Sequence, residues 1–147
     1  MNTTEELLGS VSLFSRLDRR AIKSLARLVK ERAYAAGEFI VREGQTGLGL
    51  YLIATGAAEV VQGTRVLRTL GVGDFFGEMA LLDDLPRTAD VRAVTDTTCM
   101  TLLKWEFLGE LESHPEMALP MLPILSQRVR EAEQRADRLR EELGQSS

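Results

Sequence analysis

The sequence predicts an α+β fold in which an antiparallel β-roll of about eight strands lies between N-terminal helices and a long C-terminal helix. Three observations predict it. Nine of the twelve glycines fall between Gly37 and Gly77, where they punctuate short apolar runs. The hydrophobic period shortens on entering this region and lengthens again near Trp105. Beyond that point an apolar seam steps by three and four residues as far as Leu143. The chain therefore divides into a helical segment (1–32), a β-roll (33–104) and C-terminal lid and dimerisation helices (105–147).

The elements follow in order. "TEELLGSVSLF" and "LDRRAIKSLARLVKER" read as helices, because Leu17, Ile22, Leu25, Leu28 and Val29 recur at helical spacing with Arg and Lys on the remaining face. Asp18 stands early in the second helix, where a carboxylate caps free amides or offsets the dipole. Next come the short runs "EFIVRE", "GLYLIATG", "AAEVVQG" and "TRVLRTLG", each closed by a glycine or charged turn. "DTTCMTLLKW" supplies a late strand. "WEFLGELESHPEM" reads as a short helix, and Pro115 suits the opening of another. Pro120 and Pro123 predict a break before the last helix. In that helix Leu122, Leu125, Val129, Ala132, Ala136, Leu139 and Leu143 form a heptad seam bordered by charges. Such a seam either lies on its own domain or pairs with a second copy, and the charged flanks favour a homodimer.

Composition narrows the function. A net charge of −4 argues against a dedicated nucleic-acid binder, which needs a basic face. No apolar run is long enough to cross a bilayer. The N-terminus lacks the basic-then-apolar pattern of a secretory signal, and the one cysteine, Cys99, fits a reducing compartment. A cytoplasmic location is the expectation. His114 is the only histidine, so neither imidazole nor thiolate metal centres have the ligands they need. It suits a solvated or capping role between two helices.

The chemistry concentrates in "FFGEMALLDDLPRTADVRA", residues 75–93. Gly77 lets backbone approach a ligand, and a helix start at Met79 and Ala80 presents free N–H groups that attract an anion. Arg87 supplies a planar fork suited to phosphate oxygens, and Thr88 adds a hydroxyl. Glu78 would repel a phosphate, but a carboxylate accepts hydrogen bonds from sugar hydroxyls. Phosphate, sugar and apolar walls together describe a nucleotide pocket. Val60, Leu70 and Val91 are candidates for its wall or for plain core.

This stretch resembles the phosphate-binding cassette of cyclic nucleotide-binding domains, the family of catabolite-activator-type regulators, protein kinase A regulatory subunits and cyclic-nucleotide-gated channels. The likeness runs from "LFSRLDRRAIKSLARLVKERAYAAGEFIVREGQTGLGLYLIATGAAEVV" through "TLGVGDFFGE" to "HPEMALPMLPILSQRVREAE". It implies that Glu78 accepts from the ribose 2′-hydroxyl, while Gly77, Met79 and Ala80 approach the sugar and cyclic phosphate. Arg87 would neutralise the exocyclic oxygens, and Thr88 would bond phosphate or base.

Thr88 is compatible with cyclic AMP or cyclic GMP, cyclic AMP being the commoner ligand in the family. The Thr–Ser pair that reads the purine in bacterial activators is replaced here by Ala132 and Glu133. Arg128 and Arg135 are the candidate purine contacts. Asp90 should point away from the phosphate. No catalytic residue, metal or further cofactor is implied, and no DNA-recognition helix follows the seam. The expectation is a non-enzymatic sensor, with nucleotide binding moving the C-terminal helices and an unidentified protein partner downstream. The alternatives are a dimerisation scaffold that has lost its ligand, or a cupin-like enzyme, for which one histidine is too few.

Overall fold

The computed structural model describes residues 3–145. Eight strands form two four-stranded antiparallel sheets. One carries β1 (Lys30–Tyr34), β8 (Thr97–Leu103), β3 (Gly49–Thr55) and β6 (Phe75–Phe76), in that spatial order. The other carries β2 (Phe39–Val41), β7 (Asp90–Ala93), β4 (Ala58–Gln62) and β5 (Arg65–Leu70). Helices α1 (Thr4–Gly9), α2 (Arg19–Ala26), α3 (Lys104–Ser113) and α4 (Leu122–Gln145) flank the roll. The predicted α+β roll with a long last helix is the fold observed.

Strand β3 organises the core because both of its faces are buried. Leu50 and Leu52 point into a cluster with Leu8, Leu13, Phe14, Leu25 and Phe107 from the helical side. Tyr51 and Ile53 point the other way, into the roll, beside Phe76, Val91 and Cys99. Tyr51 stacks on Phe76 with centroids 5.0 Å apart, and Phe14 meets Phe107 at 5.8 Å. Adjacent side chains on a strand face opposite ways, so one continuous apolar run serves two cores.

The helices begin where capping chemistry allows. The Asp18 carboxylate accepts from the Ala21 N–H at 2.9 Å, as its position suggested, and the Thr3 hydroxyl accepts from Glu6 N–H at 3.1 Å. The second predicted helix is too long, however. α2 stops at Ala26, and residues 30–34 form β1, paired with β8 from Lys30↔Thr101 to Tyr34↔Thr97. Leu28 and Val29 pack on the helical core without being helical, so their spacing imitated a further turn. β1 is an edge strand, and charged Lys30, Glu31 and Arg32 suit an exposed edge while hiding the strand period.

The break expected near the prolines is a 3-10 stretch, Pro115–Met121, which runs directly into α4. Pro123 lies in the first turn of α4, where its missing N–H costs nothing. Leu125 packs on the helical core, whereas Val129 and Leu139 are 57% and 56% exposed. No helix among the described residues is long and apolar enough to cross a membrane.

Candidate functional site

A cavity of about 900 Å³ opens where β5, β6, the 3-10 turn Glu78–Leu81, the loop after it and α4 meet. Gly77, Glu78, Met79, Ala80, Arg87, Thr88 and Arg128 all line it. Arg135 does not. It lies two turns further along α4, exposed, and so is not brought to the cavity.

The cup is shaped by close backbone approach. Gly77 adopts φ +82°, and a Cβ there would stand 2.5 Å from the Gly49 carbonyl oxygen and 2.6 Å from Arg87 Nη1. Only glycine satisfies both the angle and the space. At Gly47 the limit is space alone, since a Cβ would meet Ala80 Cβ at 2.7 Å and Arg87 Nε at 3.0 Å. The Ala80 N–H donates to the Gly77 carbonyl at 3.0 Å, so it is committed to the turn and not free as the sequence suggested. The Met79 N–H has no acceptor among the described residues.

Arg87 is clamped through its backbone: its N–H donates to Gln45 O and its carbonyl accepts from Gly44 N–H, both at 2.8 Å. Its side chain runs inward beneath the cup. Nη2 donates to Gly49 O at 3.0 Å, while buried Nε has no partner. The Tyr51 ring centroid lies 5.8 Å from the guanidinium carbon. Burial holds the Arg87 pKa below the usual arginine value, although Tyr51 and Asp83 oppose that shift. No carboxylate forms a salt bridge with it among the described residues. A largely buried cation with no salt-bridge partner is costly, and an anion in the cavity would relieve that cost.

Glu78 is 8% exposed and does not pair with Arg87. Its carboxylate instead accepts from Arg128 of α4 and from the Ser12 hydroxyl, the latter at 3.2 Å. Three distant segments thus meet at one carboxylate. Thr88 is exposed, and its carbonyl accepts from Gln62 Nε2 at 3.0 Å. Lys104 Nζ pins the loop between them by donating to the Asp83 carbonyl at 2.6 Å. Asp90 turns away, accepting from Glu43 N–H at 2.6 Å and facing Arg42 at 3.5 Å. Leu70 lines the cavity, whereas Val91 belongs to the roll core and Val60 packs against it.

Sequence reasoning missed Arg68, Ser12 and Gly47. Arg68 lines the cavity from β5, yet in "TRVLRTLG" it reads as one more charge on an exposed strand. Ser12 lies 66 residues from Glu78, so no local pattern links them.

The profile of the cyclic nucleotide-binding domain matches residues 31–114. The chain belongs to that family. Among its relatives, a cGMP-dependent protein kinase of Plasmodium berghei (strain Anka) is 34% identical over 130 residues, covering 88% of this chain and 14% of the kinase. A cAMP-dependent protein kinase regulatory subunit of Debaryomyces hansenii is 39% identical over 104 residues, covering 70% of this chain and 23% of the subunit. The chain thus spans a minor part of these relatives. The crystal structure of the N-terminal domain of a transcriptional regulator from Streptomyces coelicolor A3(2) superposes with a TM-score of 0.82 at 26% identity, covering 88% of this chain and 94% of that one.

Proposed function

We propose that this domain is a non-catalytic sensor whose ligand is a cyclic purine nucleotide. The observation that carries the reading is Arg87: a largely buried guanidinium with an unpartnered Nε and no salt-bridge partner, facing a cavity with the Glu78 carboxylate on its wall. Arg87, the Thr88 hydroxyl and the Met79 N–H take the exocyclic phosphate oxygens. Glu78 accepts from the ribose 2′-hydroxyl, and Gly77 and Ala80 form the close floor.

Arg68 favours guanine over adenine. A guanidinium fork matches the two acceptors N7 and O6 of guanine, whereas adenine offers it N7 alone on that edge. The relatives named above include both a cGMP-dependent kinase and a cAMP-dependent regulatory subunit, which fits a shared sugar-phosphate site. Calorimetric titration with both nucleotides, side by side, tests the reading. Both bind, cyclic GMP more tightly, and Arg68→Ala narrows the gap. Absence of binding by either nucleotide overturns it.

The response passes through α4. Arg128 ties that helix to Glu78, so a ribose hydroxyl arriving at Glu78 changes what holds the helix. Ligand then shifts the balance of helix positions by its differential affinity for them. Exposed Val129 and Leu139 give α4 an apolar line for a second copy. Sedimentation should show a dimer that Val129→Glu with Leu139→Glu weakens while nucleotide binding persists. Monomers alone at high micromolar concentration, with and without nucleotide, remove the dimer.

A further inference from the structure

One face of α2 departs from the charge of the rest of the molecule. Residues 16–32 hold seven basic side chains against Asp18 and Glu31, a net of +5, so the remainder of a −4 chain carries −9. Arg19, Arg20, Lys23 and Arg27 fall within about 100° of helix circumference, opposite buried Ala21, Ile22 and Leu25. All four are exposed, as is Arg16 on the preceding turn. None of the five has an ion-pair partner among the described residues. Glu5 borders the face on one side, and Asp18 and Glu116 lie beside Arg20 on the other.

Beside this face, and sharing Arg20 with it, a cleft of about 210 Å³ separates α2 from the 3-10 stretch Pro115–Met121. Leu17, Ala21, Met117 and Pro120 give it apolar walls. Two carboxylates also line it: Asp18, which caps α2, and the exposed Glu116, 3.5 Å from His114.

We propose that this face docks an acidic segment of a partner protein, whose carboxylates meet the arginines while one aliphatic side chain enters the cleft. Charge complementarity selects an anionic partner. The cleft selects protein over the other polyanions, because neither a sugar-phosphate backbone nor a lipid headgroup has an aliphatic side chain to place there. No large apolar side chain of α2 is exposed to enter a bilayer, and the facing 3-10 stretch exposes Leu119 alone. A −9 remainder also repels a phosphate chain running beyond the patch.

The test uses the whole chain and a fluorescein-labelled peptide of roughly twelve residues, with glutamates at helical spacing and one central leucine. Anisotropy should report binding that weakens steeply with salt. Arg20→Glu with Lys23→Glu should weaken it by tenfold or more, by about the reversal of two close ion pairs, while cyclic nucleotide affinity is unchanged. Replacing the peptide leucine by alanine should weaken it about threefold or more. The neutral pair Arg20→Gln with Lys23→Gln gives the same direction should the reversal disturb α2. Equal binding to wild type and both variants overturns the proposal, as does indifference to the leucine. Tighter binding of single-stranded oligothymidylate or phosphatidylserine vesicles through the same residues also overturns it, and identifies the other class of partner.

Discussion

Arg87 Nη2 donates to the Gly49 carbonyl at 3.0 Å, and that single bond aims the guanidinium while leaving its buried Nε without an acceptor. A scaffold that had abandoned its ligand would have no use for such a group. The domain bears the desolvation of a cation that a bound anion can offset.

Arg87→Ala should therefore separate binding from stability. Loss of a charge-assisted phosphate contact costs about 2–3 kcal/mol, or roughly 30- to 150-fold in affinity for either cyclic nucleotide. The ligand-free protein should melt no lower than wild type, because the removed group is a poorly compensated charge. Calorimetry and thermal melts measure the two. Unchanged affinity would falsify the phosphate site.

Gly77→Ala should act on folding as well as on binding. Its φ of +82° and the 2.5 Å approach to Gly49 O leave no room for a methyl group. The expected loss is about 2–4 kcal/mol in urea unfolding. Gly47→Ala, at ordinary backbone angles, crowds Arg87 Nε and should weaken nucleotide binding more than it weakens the fold. The comparison of the two variants in the same titrations checks the distinction.

Glu78 and Arg128 should be energetically coupled across 50 residues of sequence. Arg128 is 32% exposed at its side chain, which reduces the value expected of a fully buried pair. A double-mutant cycle with Glu78→Gln and Arg128→Ala in the ligand-free protein should return about 1–2 kcal/mol. Additive single variants would mean that α4 is held by its apolar contacts alone.

Alkaline stability should report the roll interior. Burial between the sheets pushes the Cys99 thiol up to about 11 from 9.0. Between those values the unfolded chain has released the proton and the folded chain has not. The unfolded state then binds fewer protons, so stability falls as pH rises, by at most about 1.4 kcal/mol per pH unit. Burial raises Tyr34 and Tyr51 in the same sense, and their contribution begins above pH 10.0. Urea midpoints against pH should show the decline, and Cys99→Ala should flatten it between pH 9 and 10. A slope unaltered by the substitution would assign the effect elsewhere.

Local rules made much of this legible. The glycine spacing exposed the roll, the three-and-four stepping exposed the last helix, and Gly77, Glu78, Arg87 and Thr88, singled out together, line one cavity. β1 was not legible, because an exposed edge strand carries charges where a buried one would show alternation. Arg135 had the same claim as Arg128 on sequence grounds. The two differ only in which turn of α4 passes the cavity, and that is set by how Leu125, Met117 and Met121 seat the helix on its core.

By itself the sequence determined the period of each segment, the turns that interrupt them and the inventory of groups able to bind an anion and a sugar. Those properties are local, resting on backbone sterics and on side-chain chemistry within a few residues. Only the tertiary structure decided which groups meet: Glu78 with Ser12 and Arg128, Arg87 with Gly49, and Arg68 with the cavity. Such contacts join residues tens of positions apart. They follow from the packing of two sheets and four helices around a doubly buried strand, which no short window of sequence contains.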